Sequence, residues 1–301
     1  MTVPVATVHP AAPKFGSCGG VVGSSVISMS AEASTESAVF SVFDTTTGTE
    51  QSYSMTGSGG HNLGYGIFGC TQGGGVVCAT VTAKFTDSQI QLVRMYPDGA
   101  YDLMPTTTNL QYPQAVAVGS TIWMTPSSGF TQPPTIYDLS SSTIVTGTGM
   151  SAVRGDGQSL AAGGYVYVWS ASTLYKYNTS TYARTTVGTG YANYPFGGSQ
   201  VASNGSKHFW VGNNYTTIIE LDTSTDTVTI HSSGLTWYGY TLTMGADGLL
   251  YGGGGSGGLT YINSWNPTTS SGHSDATGLT GLSRSLMCFT VGGNTYWPTH
   301  S

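Results

Sequence analysis

Along most of this chain, short runs of alternating polar and apolar residues are bounded by Gly, Asn and Asp, and the runs are rich in β-branched and aromatic side chains. A period of two puts successive side chains on opposite faces of a strand, so these runs predict β-strands. No 11-residue stretch carries a helical period.

Two phrases recur. The first is a tight turn followed by an aromatic-rich strand: "VGSSVISM" around Gly23, "GGGVVCATV" around Gly74, "VGSTIWM" around Gly119, "GGYVYVW" around Gly164, "NGSKHFWV" around Gly205, "DGLLYGG" around Gly248 and "GGNTYWPT" around Gly293. These seven glycines are 51, 45, 45, 41, 43 and 45 residues apart. Two-residue hairpins of the primed types need positive φ, which is why glycine recurs there. The second phrase ends a strand on Asp or Asn followed by Ser or Thr, and centres on Asp44, Asp98, Asp138, Asn178, Asp222 and Asn266. Asx side chains fold back onto nearby backbone amides and so open turns. Each repeat therefore predicts a four-stranded unit with one turn of each kind.

Seven first turns and six second turns do not match, since the seventh second turn would fall beyond Ser301. An orphan strand, "TVPVATVH" from Thr2 to His9, precedes the first turn. Joining the two ends closes a ring and removes the exposed edges. The expected fold class is thus all-β, a seven-bladed β-propeller formed by a single domain over residues 1–301. Its last blade covers about residues 279–301 and is closed by the N-terminal strand at about residues 2–9. Repeats of 40 to 45 residues fit such blades.

"NGSKHFWVGNNYTTIIELDTSTDTVTI", from Asn204, resembles the YVTN type of propeller repeat, with a turn, a strand, a V-Asn step, a third strand and an Asp-Thr-x-Thr turn in succession. The likeness covers about 27 residues of the fifth unit and is looser elsewhere. It implies the propeller fold. The family includes surface-layer proteins and a lyase acting on cyclic peptide antibiotics, and the lyase resemblance would imply a His-rich metal-assisted site. None can be placed on these residues.

Composition narrows the partners. Only 7% of the 301 residues are charged, whereas 39% are hydrophobic and 19 are Tyr, so the chain is polar without being ionic and can still pack a core. With eight Lys and Arg and a net charge of −6 there is no basic stripe to neutralise phosphates, which argues against nucleic acid. No run of about 18 apolar residues predicts a transmembrane helix. The stretch before Lys14 lacks the basic, apolar and small-residue segments of a secretory signal.

Candidate chemistry is sparse. His9, His61, His208, His231, His273 and His300 read as isolated histidines at no metal-binding spacing, and no motif asks for a cofactor. Asp44, Asp98, Asp138, Asp222 and Asp247 are accounted for as turn residues, and no acid–base pair stands out. "RGD" at Arg154–Asp156 is a short match in a Gly-rich loop, and Asn178, Asn204 and Asn214 open sequons. "GGGGSGG" from Gly252 reads as a loop between second and third strands. Cys18, Cys70 and Cys288 fall on the innermost strands of adjacent units, either as small apolar residues lining a channel or as a pair across a boundary, and Cys78 faces Cys70 across its hairpin. Trp123, Trp169, Trp210 and Trp297 recur four or five positions after the first turn, a position suited to packing between blades.

A second aromatic set falls in the connections between units: Tyr65, Tyr112, Tyr191, Tyr194, Phe196, Trp237, Tyr238 and Tyr240, beside Asn62, Asn193 and Gln111. These connections share one face. Flat apolar rings among neutral hydrogen-bonding groups suit the pyranose rings of a glycan, so Tyr65, Tyr112, Tyr191, Tyr194, Trp237, Tyr238 and Tyr240 form a candidate ligand platform. The alternative is that they cap the blade ends. Scarce charge, the absence of an export signal and a Gly/Ser/Thr/Tyr-rich composition resemble tail-tip or fibre-associated proteins of tailed bacteriophages. That resemblance implies a non-enzymatic virion component, made in a host cytoplasm and acting outside it, with other virion proteins and a host-surface glycan as partners. A propeller enzyme and a purely structural decoration protein are the alternatives. Closure gives the first testable consequence: deleting residues 1–10 should expose an edge and lower both melting temperature and solubility, measured by calorimetry and light scattering. An unchanged melting temperature would remove the closing strand from the fold.

Overall fold

The computed structural model describes residues 18–32, 37–55, 67–73, 76–82, 89–104, 107–108, 114–125, 131–146, 150–154, 159–195, 200–237, 242–254, 261–276 and 288–296. Antiparallel strands follow one another as meanders. The first sheet is β1 (Cys18–Val22), β2 (Ser25–Glu32), β3 (Ser37–Asp44) and β4 (Thr49–Met55). The second is β5 (Ile67–Gly73), β6 (Val76–Thr82), β7 (Gln89–Met95) and β8 (Tyr101–Leu103), with β9 (Thr107–Thr108) pairing back onto β7. In the third, β10 (Gln114–Val118) and β11 (Thr121–Thr125) precede a short β12 (Thr131–Gln132), and the sheet resumes with β13 (Thr135–Asp138) and β14 (Thr143–Thr146). β12 pairs instead with β15 (Val153–Arg154). The fourth is β16 (Ser159–Ala162), β17 (Tyr165–Ser170), β18 (Thr173–Asn178) and β19 (Arg184–Gly188). The fifth is β20 (Ala202–Asn204), β21 (Lys207–Val211), β22 (Thr217–Asp222) and β23 (Thr227–Ser232). The sixth is β24 (Thr243–Met244), β25 (Leu250–Gly254), β26 (Tyr261–Asn266) and β27 (Ser271–Ala276), and β28 (Phe289–Val291) with β29 (Asn294–Tyr296) forms a two-stranded seventh sheet. Among the described residues no helix is long and apolar enough to cross a membrane.

The repeated turns explain the meander. Gly23, Gly119, Gly164, Gly205, Gly248 and Gly293 sit between the first two strands of their sheets with φ of 56° to 81°, as primed hairpins require. Asp44 Oδ1 accepts the Thr46 amide at 2.8 Å and the Thr46 hydroxyl at 2.7 Å, and Asp138 with Ser140 and Asp222 with Ser224 repeat the arrangement. Asn178 and Asn266 each accept two amides instead. Four residues beyond the Asx the chain turns left-handed at Gly48, Ser142, Tyr182, Asp226 and Ser270, with φ of 53° to 69°. Glycine holds that position at no steric cost only in the first sheet. The residue after the Asx then donates its amide to the first hairpin turn: Thr45 to Ser24 O, Leu139 to Ser120 O, Thr179 to Gly164 O and Thr223 to Ser206 O, at 2.8 to 3.0 Å. The two turns of a sheet are thereby sewn together.

Packing follows from the strand period. Along β17, Val166 and Val168 join Trp123, Ile136 and Met150 of the third sheet's cluster, whereas Tyr167 and Trp169 join Trp210, Ile219 and Leu221 of the fifth. β21 repeats the division, with Trp210 facing back and Phe209 and Val211 facing Leu250 and Trp265 of the sixth sheet. Each such aliphatic side chain buried contributes about 1.5–3 kcal/mol. At the far end Phe289 and Val291 pack in one cluster with Val26 and Phe40, and β1 lies beside both β5 and β28. The recurring tryptophans Trp123, Trp169 and Trp210 are all buried between sheets.

The fold is an all-β propeller, with three corrections. Five sheets are regular four-stranded blades, where the spacing predicts seven, because the second sheet carries the extra β9 and the last has two strands among the described residues. The predicted closing strand at residues 2–9 lies outside them, as does Trp297. Gly252 to Gly254 belong to β25, paired with Asn263, Ile262 and Tyr261, so the glycine run begins inside a strand. Cys70 pairs with Ala79 and Cys78 with Thr71, so the two cysteines are not opposite each other, although β1, β5 and the Cys288 segment are neighbours as expected.

The Asx turns also set a pH dependence. Serine and threonine hydroxyl bonds, followed by the backbone amides, hold the Asp44, Asp138 and Asp222 carboxyls below their usual value. A lowered native value means that the contribution is complete above the unfolded pKa and is lost as pH falls through the native one. Replacing all three by Asn, which opens the same turn without titrating, should leave the melting temperature at pH 7 nearly unchanged. It should also shrink the drop in melting temperature between about pH 5 and pH 2 seen for the unsubstituted chain. An equal drop in both would show that the turns carry no acid sensitivity.

Candidate functional site

Because the strands alternate in direction, the first and third turns of each sheet share one end, and the second turns share the other end with the connections between sheets. The two ends differ chemically. The first carries the turn acids Asp44, Asp98, Asp138, Asp222, Asp226 and Asp247.

An ion pair near that end ties the fourth and fifth sheets together. Asp226 accepts the Tyr167 hydroxyl at 2.8 Å and pairs with Lys176, whose ammonium lies 4.4 Å from the centre of the Tyr165 ring. Desolvation pushes the Asp226 carboxyl up, and the bonds from Lys176 and Tyr167 outweigh it, so the carboxyl stays below its usual range. Buried Glu220 pairs with Lys207 at 2.6 Å and with His231 Nε2 at 2.9 Å. His231 in turn packs against Trp265 of the next sheet, ring centres 5.0 Å apart. The described histidines are therefore not isolated, in contrast to the reading from sequence: His208 Nδ1 meets the Ser203 hydroxyl at 2.8 Å and His273 meets Asp275 at 2.9 Å, while His9, His61 and His300 lie outside the described residues. Burial lowers the His208 pKa. Ser270 Oγ stands 3.5 Å from His231 Nδ1, at the limit of hydrogen bonding, so this cluster is built as a clamp between sheets. Among the described residues no group of three His, Cys, Asp or Glu is arranged to hold a metal ion. Arg154 lies in β15 opposite Thr131, and Gly155 and Asp156 lie outside the described residues.

At the other end, between the fourth and fifth sheets, residues 189–195 and 212–216 ("TGYANYP" and "GNNYT") contain no acid, no basic residue and no histidine. Main-chain bonds hold them. Tyr191 N donates to Ser172 O at 3.1 Å, Asn213 N to Tyr194 O at 2.9 Å, and Pro195 bridges Gly212. A Cβ at Gly212 would come within 2.1 Å of the Thr217 hydroxyl, so only glycine permits this approach. Asn214 Oδ1 accepts the amides of Thr216 and Thr217 and the Thr217 hydroxyl, closing the loop. On the far side Trp237 N donates to Tyr215 O at 2.8 Å and Asn263 Nδ2 to Thr236 O at 2.7 Å.

Of the seven platform residues inferred from sequence, Tyr65, Tyr112, Tyr238 and Tyr240 lie outside the described residues, as do Phe196, Asn62 and Gln111. Tyr191 and Tyr194 are half-buried at this end, packed on the cluster of Trp169 and Trp210. Tyr191 meets Trp169 edge-on at 5.4 Å, and burial raises its hydroxyl pKa. Trp237 does not belong to the platform. It is 1% exposed, sits among Phe209, Val211, Leu242, Leu250 and Trp265, and donates its indole N–H to Ser233 Oγ at 2.9 Å. An indole that can satisfy its one donor locally is free to enter the core. Asn213, Tyr215 and the 46% exposed Tyr261 share this end and were missed, because they lie in or beside second-to-third-strand loops rather than in connections. The meander rule that puts both loop types at one end was the available signal.

No protein-family model matches the chain, and no curated protein matches it in sequence. Solved structures share its fold. YCF48 bound to a D1 peptide is similar over 99% of this chain and 97% of its own, at 8% identity and a TM-score of 0.62. BamB from Moraxella catarrhalis matches 95% of this chain and 81% of its own at 12% identity and 0.56, and virginiamycin B lyase from Staphylococcus aureus matches 77% of each at 14% identity and 0.54. At these identities the likeness establishes the propeller and nothing of the activity. The position of Trp237 predicts that Trp237→Ala loses about 3–5 kcal/mol in denaturant unfolding. A loss below about 1 kcal/mol would return Trp237 to the surface.

Proposed function

We propose that this chain is a non-enzymatic binding propeller of a virion, of tail or adhesion type. It contacts other virion proteins and presents its loop end to a partner on the host surface. The observation that carries the reading is the contrast between the two ends. The charged side chains of the turn end are engaged in turns and clamps, whereas the loop end between the fourth and fifth sheets is neutral, rich in tyrosine and asparagine, and held by main-chain bonds. A rigid neutral surface with aromatic side chains loses little entropy when it is covered, and tyrosine is enriched in binding interfaces. The seven-bladed ring belongs to this proposal. Packing of Phe289 and Val291 against the first sheet, and the place of β1 between β5 and β28, support it.

The test is capture of particle proteins and of whole host cells by the purified chain. Asn213→Lys should weaken capture at least tenfold with an unchanged melting temperature, whereas Asp138→Lys at the turn end should leave it intact. Loss with Asp138→Lys alone would move the interface to the opposite end. Turnover of an envelope polysaccharide or of a cyclic peptide would replace the reading by a propeller enzyme, and capture of particle proteins without host cells would leave a structural decoration.

A further inference from the structure

We propose that Gln200 is a latch by which the fifth sheet holds the seventh, and that the seventh sheet is a leaf of the propeller that opens by itself when the latch lets go. This motion is independent of what the chain binds. Gln200 lies in the connection into the fifth sheet, two residues before β20. Its side-chain amide grips the main chain of one residue 88 positions away: Gln200 Nε2 donates to Cys288 O at 2.6 Å, and Cys288 N donates to Gln200 Oε1 at 2.8 Å. A carboxamide carries a donor and an acceptor side by side, as a strand edge does, so the pair reproduces a β-bridge with a side chain. The match fixes the amide's orientation, because a flipped amide would set carbonyl against carbonyl and N–H against N–H. Cys288 immediately precedes β28, so the latch passes over the sixth sheet in chain order.

What the latch holds is small. Among the described residues the seventh sheet has two strands of three residues, and a two-stranded hairpin alone is marginal in water. The strand period divides its other contacts between two neighbours. Phe289 and Val291 pack with Val26 and Phe40 of the first sheet. On the opposite face the Cys288 thiol points at Tyr251 O of the sixth sheet at 3.8 Å, and Thr290 Oγ1 meets Thr243 Oγ1 at 3.1 Å. A thiol is a weak donor, and one hydroxyl pair adds little to it. Gln200 supplies two short bonds where Cys288 is 0% exposed. Removing the amide withdraws both from a buried stretch of main chain, and opening the sheet to water is the most direct way to replace them. The third and fourth sheets also share a buried hydroxyl pair, Thr125 with Ser159, but between them lies the cluster of Trp123, Ile136, Val166 and Tyr177. Packing alone holds those two sheets. The seventh has no such mass of apolar side chains among the described residues, and it relies on the latch.

The experiment follows hydrogen exchange by mass spectrometry in peptides covering residues 288–296 and 207–222, together with N-ethylmaleimide modification of Cys288. Gln200→Leu fills the site without either bond. It should speed exchange of 288–296 and modification of Cys288 by about tenfold or more, while 207–222 in the fifth sheet exchanges as before. Thr125→Val removes the buried hydroxyl bond between the third and fourth sheets and should leave 288–296 unchanged. Equal acceleration of both peptides in Gln200→Leu would make Gln200 an ordinary stabilising side chain and overturn the latch, as would no acceleration at all. Acceleration of 288–296 by Thr125→Val to the same extent would overturn it too, since the sheet would then open with any loosening of the fold. If Gln200→Leu does not fold, the intact chain decides in urea below its unfolding transition. There 288–296 should exchange through an opening of its own, less steeply dependent on urea than that of 207–222. Exchange of both peptides only by unfolding of the whole chain would overturn the independent leaf.

Discussion

A four-stranded sheet this small has two apolar faces and cannot hide either alone. That constraint governs the rest of the molecule. Along β17, valines turn one way and Tyr167 and Trp169 the other, so the strand is stable only when a neighbouring sheet covers each face. The same holds for β21, where Trp210 and Phe209 face opposite neighbours. Sheets with two sticky faces stack, and the right-handed twist of strands splays the stack around an axis. Large aromatics suit the wedge between splayed sheets, which is where Trp123, Trp169, Trp210 and Trp265 lie.

Once the faces are used for packing, polar side chains left inside the sheets bond one another, as Ser41 does with Ser52 and Thr125 with Ser159, and the ends carry the turn acids. The turn end spends its polar groups internally, on Asx turns, on bonds between the two turns of each sheet, and on clamps such as Lys176–Asp226 and Glu220–His231. Lys176–Asp226, which spans the fourth and fifth sheets, and His231 packed on Trp265 of the sixth fix how one sheet sits against the next. The loop end has another economy. There the main chain is bonded to itself, Asn214 closes its own loop, and Tyr191 and Tyr194 pack half-buried on the cluster of Trp169 and Trp210.

The sequence by itself determined the unit. Alternation set the strands, and glycines with positive φ set the first turns. Asx residues set the second turns, because each of these signals is local and acts within a few residues. It also placed Trp123, Trp169 and Trp210 between sheets. What it could not decide was whatever depends on a partner far along the chain. Trp237 reads as a surface aromatic until Ser233 satisfies its indole and the fifth and sixth sheets close over it. His231 reads as isolated until β22 brings Glu220 alongside and β26 brings Trp265. Tyr215 sits in a loop of its own sheet, and only the meander brings that loop beside the connection bearing Tyr194. Local backbone preference is written in neighbouring residues. Burial, pairing of charges and the assembly of a face are decided by sheet-against-sheet packing, which residue order encodes only through the fold.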